Sequence, residues 1–488
     1  MRIKSEPTFL AAGAFIGLTV GVAAVQQQAL VMLALAAATI ALLGSRPILV
    51  VAAVLLFEEN FPGSPYFEQS PSVLTAGWNL YDRRTAGFSP AFALLVVAGA
   101  GLLVRLAISR RRGRPTRQRQ LDGAIVVLIG LTALSAAVSL LQESSAISPR
   151  TAPHLLINAI LAGLPWLSVL LSYFIGTNEL RAAAASRRLT RLTAGTLIGK
   201  GVIGLVVLVL FGGATVDAQQ HVIFYDAALP AVAAACLLGY LLAPSSSRAR
   251  LWCIAMSASV VVLSFRRAVW LGLVAGFLLL PLARKRSYVV ARAIGVVAAG
   301  MIIVALLPAG VRSTTFGRVV SAISVAETGR GESSAKAHES DVEAGLQAAK
   351  EHPLAGIGVR AGQLKTLIHQ AAPSLYVHND FLQTWLRYGL AGLLGLLLLL
   401  GVAAQRAWRA LSSADSLSVP TAAAAAFCLT IAIPLMTAPF LTTTRRWPIF
   451  FGLALAVLRV ALERPAPAAD VSVGQEREPV LLAQAVLL

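Results

Sequence analysis

Long apolar runs recur along the whole chain and constrain its fold more than any other feature. A helix needs about 20 apolar residues to cross the roughly 30 Å hydrocarbon core of a bilayer. The chain is 57% hydrophobic and 13% charged, whereas a soluble domain carries about 25% charged residues. Fourteen runs are candidate spans, near 8–25, 29–44, 46–57, 89–108, 121–141, 153–176, 192–211, 227–243, 251–265, 268–283, 293–309, 385–405, 420–437 and 448–462. Since several are short or adjoin closely, the sequence predicts an all-α polytopic membrane protein with about 12 to 14 transmembrane helices.

Basic residues are distributed unevenly between the two sides of this predicted bundle. With the N-terminus inside, the cytoplasmic segments collect 25 Lys/Arg against 8 Asp/Glu, and the outer segments collect 15 against 14. Cytoplasmic loops of membrane proteins are rich in Lys and Arg. The net charge of +19 is therefore a topology signal, and we expect no nucleic-acid partner.

Polar intervals divide the predicted chain into four parts. Residues 1–310 are an N-terminal set of transmembrane helices with an outer loop at about 58–90, and residues 311–384 are one large outer loop with short helices. Residues 385–462 return as C-terminal transmembrane helices. Residues 463–488 form a cytoplasmic tail whose prolines and mixed charges are typical of a disordered or weakly ordered segment. The loop at 311–384 is the longest polar interval, so we expect the active site there.

The large outer loop carries its own local signals. The run Ser340–Glu343 has the pattern of a capping box and predicts a helix that ends before Pro353. The run Pro353–Gly358 predicts a tight turn. Gly389, Gly392 and Gly395 predict a strip of small residues that lets another helix approach closely.

Two arginine pairs lie at the predicted outer face. Arg266 and Arg267 separate two apolar runs, and Arg445 and Arg446 precede the last span. A guanidinium stays charged and binds phosphate through two hydrogen bonds, so such a pair can clamp an anion. The alternative is a charged hairpin turn, with Trp270 as an interfacial anchor for the first pair. Outer-face arginines oppose the positive-inside trend, which favours the anion clamp for the first pair and leaves both readings open for the second.

His378 stands where the large polar loop becomes a helix. An imidazole is partly free base near neutral pH and can accept a proton from a hydroxyl. A single histidine at a membrane interface is more often structural than catalytic. The residue alone therefore does not decide between the two roles.

The residues around His378 resemble the signature region of the O-antigen ligase and O-antigen polymerase family, polytopic glycosyltransferases of bacterial envelope polysaccharide. His378, Asn379 and Gly389 match the ligase signature of His, then Asn, Ser or Gln, nine residues and Gly. The turn at 353–358 precedes this signature, as in the family. The segment 264–271 is similar to a family segment, with Arg267 in place of a Gly. The likeness covers residues from about 250 to 460.

The resemblance implies transfer of a glycan from an undecaprenyl (polyprenyl) diphosphate donor to a hydroxyl of a glycan, lipid or protein acceptor. The reaction would occur at the outer face of the cytoplasmic membrane of a bacterium, without a metal or other cofactor. A diphosphate leaving group is already stable as an anion, so the reaction needs a base and a positive cradle more than a strong acid. By resemblance, His378 is the general base, and Arg266 and Arg267 bind the diphosphate.

Further arginines and polar residues are supplementary candidates for the same site. Additional diphosphate contacts are expected from Arg318, Arg330 and Arg360, and supporting contacts from His338, Asn379, Arg445 and Arg446. Family members often carry an arginine about fifteen residues before the proline of the turn, where this chain has His338. Either Arg330 reaches the same place, or His338 substitutes for it, or that contact is absent.

Other classes of membrane protein also fit the composition. A transporter or flippase of lipid-linked oligosaccharide would suit the number of spans, but it would be expected to show internal repeats. A metal-dependent glycosyltransferase could use Glu58, Glu59 and Asp82, although the first two are adjacent and lack the usual Asp-x-Asp spacing. A scaffolding protein is a fourth class. Within the favoured family, these residues do not separate ligase from polymerase.

Overall fold

The computed structural model describes residues 122–144, 152–211, 215–216, 221–222, 228–242, 248–264, 267–284, 333–358, 377–413, 417–443 and 446–463, with scattered positions between 92 and 106. The spans predicted at 8–25, 29–44, 46–57 and 293–309, the outer loop at 58–90 and the tail beyond 463 lie outside the described residues. The total of 12 to 14 spans stays a prediction.

Helices make up almost all of the described part. In chain order they are α1 (Gly123–Ser144), α2 (Ala152–Glu179), α3 (Ala183–Phe211), α4 (Ala228–Leu242), α5 (Arg248–Leu263), α6 (Arg267–Arg284), α7 (Ser333–Glu351), α8 (Asp380–Ser413), α9 (Val419–Thr430), α10 (Ala432–Leu435), α11 (Phe440–Thr443) and α12 (Arg446–Glu463). Two short antiparallel strands, β1 (Thr215–Val216) and β2 (His221–Val222), lie between α3 and α4. Apart from this pair of strands, the all-α prediction is confirmed.

Several of these helices are apolar enough to lie in a membrane. Three can cross one by length and composition, namely Gly123–Leu141, Ala159–Glu179 and Asp380–Ser412, with mean hydropathy of 2.5, 1.8 and 1.9. Shorter apolar helices cover Ala228–Leu242, Arg250–Leu263, Ala268–Leu279 and Val419–Leu435. All of them coincide with runs that the sequence predicts as spans. The fold is that of an all-α membrane protein.

Glycines bring the helices of the bundle into close contact. A Cβ on Gly176 of α2 would lie 2.6 Å from the Ala456 side chain of α12, and a Cβ on Gly239 of α4 would lie 2.8 Å from the Ala423 backbone of α9. A Cβ on Gly395 of α8 would lie 2.6 Å from Leu131 of α1. Small residues of this kind are typical of membrane helix interfaces, where backbones pack closely. The predicted close approach of another helix at Gly395 is confirmed.

An ionic cluster joins four helices at one end of the bundle. The carboxylate of Asp122, which precedes α1, accepts hydrogen bonds from Tyr173 of α2, Arg406 of α8 and Arg459 of α12. Arg406 also donates to the Tyr173 hydroxyl at 2.9 Å. Arg459 also pairs with Glu463 at 2.8 Å. The start of α1 and the C-terminal parts of α2, α8 and α12 therefore meet at this end, which places the start of α8 at the opposite end.

The helix in the polar segment 311–384 is longer than the sequence predicts. α7 begins at Ser333, so the expected start at the Ser340 capping box is wrong. Ala335, Lys336 and Ala337 are good helix formers and extend the helix toward its N-terminus. The helix does end before Pro353, as predicted.

Candidate functional site

His378 lies immediately before α8, on a short backbone segment that is fixed on both sides. The side-chain oxygen of Asn379 accepts a hydrogen bond of 3.0 Å from the backbone amide of Leu382. The side-chain oxygen of Gln383 accepts one of 2.8 Å from the backbone amide of Val377. The first bond is a helix N-cap, which satisfies an amide that the helix leaves unpaired. The sequence around the histidine therefore folds so that its backbone cannot shift independently of α8.

The imidazole of His378 contacts a buried carboxylate from a different helix. Its Nδ1 lies 2.6 Å from Oδ2 of Asp341 in α7. The Asp341 side chain is 0% exposed and the His378 side chain is 14% exposed. A bond this short between a ring nitrogen and a carboxylate is typical of a charge-assisted hydrogen bond.

A small apolar cluster packs α7 against the first turns of α8. Ala349 of α7 lies buried with Val377, Leu382 and Leu386. A Cβ on Gly345 would lie 2.7 Å from the Leu382 side chain, so the two helices approach closely at this glycine. This packing places Asp341, one helical turn before Gly345, beside the start of α8.

The turn at Pro353–Gly358, which we name the glycine turn, packs against α8 through backbone hydrogen bonds. The amides of Ile357 and Gly358 donate to the carbonyl of Leu386 at 2.7 and 2.9 Å. The indole of Trp385 donates to the carbonyl of Pro353 at 2.7 Å. The predicted tight turn is confirmed, and it closes the C-terminal end of α7 onto α8.

Two glycines with positive φ make this close contact possible. Gly356 has a φ of 69°, and Gly389 has the same φ of 69° inside α8, where it kinks the helix. A Cβ on Gly356 would lie 2.9 Å from the Gly389 nitrogen, and a Cβ on Gly389 would collide with the Leu354 carbonyl. The sequence predicts contact with another helix for Gly389, but the structure places the glycine turn there instead.

A second carboxylate ties the start of α8 to the segment before α12. Asp380 is fully buried and accepts hydrogen bonds from the amides of Leu441 and Thr442 and from the Thr442 hydroxyl, the last at 2.6 Å. Arg387 donates to the Thr442 carbonyl at 3.1 Å. These bonds hold α11, and with it the start of α12 at Arg446, beside the start of α8.

The comparison with protein families covers this part of the chain. Residues 251–397 match the O-antigen ligase family. The match includes α6, α7, the glycine turn, His378 and the first half of α8, and it confirms the resemblance to O-antigen ligases and polymerases that the sequence predicts. No curated protein matches the chain. The O-antigen ligase match supports a ligase- or polymerase-type function and a bacterial membrane protein.

The described residues include only some of the predicted anion-binding arginines, and Arg267 is described by its position in the backbone alone. Arg446 opens α12 and is 4% exposed. Arg267 opens α6, which packs against α10 through contact of Gly272 with Pro434. Arg266, Arg318, Arg330, Arg360 and Arg445 lie outside the described residues. The convergence of arginines around the histidine of the O-antigen ligase signature therefore stays a prediction.

Two of the residues predicted to support the site, Asn379 and His338, lie in the described part of the chain. Asn379 caps α8, so its observed contact is structural. His338 lies within α7, three residues before Asp341, and its role stays a prediction. Among the described residues, no group of three or more His, Cys, Asp or Glu is placed to hold a metal ion.

Asp341 is the residue that sequence reasoning missed. In the sequence it stands out only as part of a capping box, whereas in the structure it is the partner of the signature histidine. The signal that could have found it is helical spacing. Asp341, Gly345 and Ala349 recur every four residues and share the buried face of α7. An acidic residue on the buried face of an otherwise polar helix needs a partner.

Proposed function

We propose that this protein transfers a glycan from a polyprenyl diphosphate donor to an acceptor hydroxyl at the outer face of the cytoplasmic membrane, without a metal. The observation that carries the proposal is the geometry of His378. The imidazole belongs to the segment that matches the O-antigen ligase family and is held at 2.6 Å by a buried carboxylate. An imidazole fixed in this way is suited to proton transfer.

In the proposed reaction, His378 acts as a general base. Its Nε2 takes the proton of the acceptor hydroxyl while the acceptor oxygen attacks the anomeric carbon of the donor sugar. The bond between that carbon and the diphosphate oxygen breaks, and polyprenyl diphosphate leaves with the bonding electrons. Strong acid catalysis is unnecessary because the leaving group is already a stabilised anion.

The negative charge that develops on the diphosphate requires a positive cradle. We assign this role to Arg266 and Arg267, with Arg318, Arg330 and Arg360 as supplementary ligands. Guanidinium groups suit it because they stay charged and bind phosphate through two parallel hydrogen bonds. The contact of Gly272 with Pro434 and the clamp of Asp380 on α11 support this assignment. The first contact joins the second turn of α6 to α10, and the second holds α11, the next helix, beside the start of α8.

The direct test is a transfer assay with purified protein in detergent. The donor is a polyprenyl-diphosphate-linked glycan, the acceptors are candidate glycans, lipids and proteins that carry a hydroxyl, and the buffer contains EDTA. We expect wild-type protein to move glycan from the donor to an acceptor, and His378→Ala to lose about 10² to 10⁴-fold in turnover, the range of general-base catalysis.

The matched control is His352→Ala. His352 is an exposed histidine at the end of α7, so its loss should leave turnover unchanged. Transfer that requires added divalent metal would contradict the proposed mechanism. Movement of the intact donor across proteoliposome membranes without any transfer would support the flippase alternative instead.

A further inference from the structure

Asp341 is an acidic residue on the buried face of α7. Among the described side chains of α7, the buried positions are Asp341, Gly345 and Ala349. The latter two pack against the first turns of α8, as small residues at a helix contact should. Burial of a carboxylate at such a position is strongly unfavourable unless the carboxylate is paired. Asp341 meets that cost through its contact with His378.

The second oxygen of this carboxylate makes the cost larger. Oδ1 of Asp341 is buried and has no hydrogen-bond partner among the described residues. A buried polar atom without a partner destabilises the folded protein, because it loses its hydrogen bonds to water. Within the described part of the chain, the side-chain hydrogen bonding of Asp341 is therefore directed at the imidazole alone, which is the pattern of a group retained for function.

We propose that Asp341 is a positioning residue that fixes the tautomer and orientation of His378. An ionised carboxylate can only accept a hydrogen bond, so Nδ1 of His378 must donate to it. The lone pair of the neutral ring then lies on Nε2, the atom that faces away from Asp341. This inference rests on the proposed function, in which Nε2 accepts the proton of the acceptor hydroxyl.

The same contact stabilises the product of the proton transfer. Once Nε2 has taken the proton, the ring is an imidazolium beside a buried carboxylate. The attraction between opposite charges is larger in a site with little water than in bulk solvent. Asp341 thus lowers the energy of the charged ring without itself touching the substrate.

The packing of α7 against α8 fixes the geometry of the contact between Asp341 and His378. α7 is held on α8 by the Gly345–Leu382 contact and by the glycine turn, whose amides bond to Leu386. The two partners are 37 residues apart in the sequence, and both lie on segments with fixed backbones. The imidazole is therefore oriented before the substrate binds, which reduces the entropy lost on reaching the reactive geometry.

The test compares Asp341→Asn with Glu343→Gln in the transfer assay. Glu343 is an exposed carboxylate of the same helix, so its variant makes the same chemical change away from the site. An asparagine amide can donate to Nδ1 and so stabilise the wrong tautomer. We expect Asp341→Asn to lower kcat by about 10² to 10⁴-fold and to leave KM for the donor within about twofold. Glu343→Gln should resemble wild type in both.

A double variant separates a positioning role from a general structural one. If Asp341 acts through the histidine, the variant carrying both His378→Ala and Asp341→Asn should be no slower than His378→Ala alone. Independent, multiplicative losses would overturn the inference. So would a fall in kcat for Asp341→Asn that is matched by an equal fall in the folded fraction.

A measurement on the unmodified protein covers the case in which Asp341→Asn does not fold. ¹⁵N NMR of histidine-labelled wild-type protein, with His378→Asn used to assign the signal, reports which ring nitrogen carries the proton. We expect Nδ1 of His378 to be protonated, and a neutral ring protonated on Nε2 would overturn the inference.

If His378→Ala is inactive while Asp341→Asn has wild-type kcat, the positioning role fails and the proposed function stands. If His378→Ala is fully active, the proposed base fails first.

Discussion

Replacing Gly356 with alanine tests how firmly the glycine turn holds α7 against α8. Gly356 has a φ of 69°, a conformation that costs an L residue about 1 to 2 kcal/mol. Its new Cβ would lie 2.5 Å from the Leu386 oxygen and 2.7 Å from the Trp385 oxygen. Both are backbone atoms and cannot rotate away, so the turn must move off α8.

The cost follows from the hydrogen bonds that this movement breaks. Three backbone bonds join the turn to α8, from Ile357 and Gly358 to Leu386 and from Leu390 to Leu354. At about 0.5 to 1.5 kcal/mol each, their loss and the backbone strain sum to about 3 to 6 kcal/mol of local stability. Because the turn positions α7, the variant should also lower turnover by separating Asp341 from the imidazole.

Hydrogen–deuterium exchange measured by mass spectrometry is the assay for this change. We expect peptides covering 353–358 to lose protection by about 10² to 10⁴-fold in Gly356→Ala, which is the same free energy expressed as an exchange ratio. Gly401→Ala in α8 is the matched control, since a Cβ there meets nothing within 4 Å. Unchanged protection and unchanged turnover in Gly356→Ala would refute the described docking of the turn.

Three further predictions concern other parts of the bundle. Asp380→Ala should lower the thermal unfolding midpoint by several degrees, because the buried amides and hydroxyl of residues 441 and 442 lose their acceptor at about 1 to 3 kcal/mol each; wild-type stability would contradict the clamp. Asp122→Ala should destabilise the protein similarly but leave kcat per folded molecule unchanged, since the ionic cluster lies at the end opposite His378; a selective loss of kcat would argue against that separation. At Glu463, burial alone would raise the pKa, but hydrogen bonds from Arg459 and Arg181 outweigh it and hold that pKa below its ordinary value of 4.5. The ionised Glu463 carboxylate therefore stabilises the protein above about pH 4.5, and this stabilisation is lost as the pH falls through the folded-state pKa. The difference in unfolding midpoint between wild type and Glu463→Gln should therefore disappear in acid. A difference independent of pH would contradict the ion pair.

The helices and the signature histidine could be predicted because their signals are local. Apolar runs predict the apolar helices, and the proline and glycines of the glycine turn predict that turn. The resemblance to the O-antigen ligase family also depends on residues close together in the sequence. The family comparison confirms that resemblance over residues 251–397.

The partner of the histidine could not be predicted because its position depends on how two helices dock. Asp341 reaches His378 only because Gly345 lets α7 approach Leu382 closely. The kink at Gly389 was missed for a related reason. Its positive φ depends on contact with the Leu354 carbonyl, a residue of a different segment.

The pairing in the ionic cluster at the opposite end of the bundle could not be predicted either, because its residues are even farther apart in the sequence. Asp122 and Arg406 are 284 residues apart in the sequence. Each alone looks like an ordinary charge near the end of an apolar run. Their pairing becomes visible only when the directions of α1 and α8 are known.

The proposed glycan transfer depends most directly on His378 acting as the base for the acceptor hydroxyl. The measurement that tests it is the turnover number of His378→Ala, with donor and acceptor both saturating and the folded fraction confirmed. We predict a loss of about 10² to 10⁴-fold relative to wild type and to His352→Ala. A turnover number within twofold of wild type would contradict it.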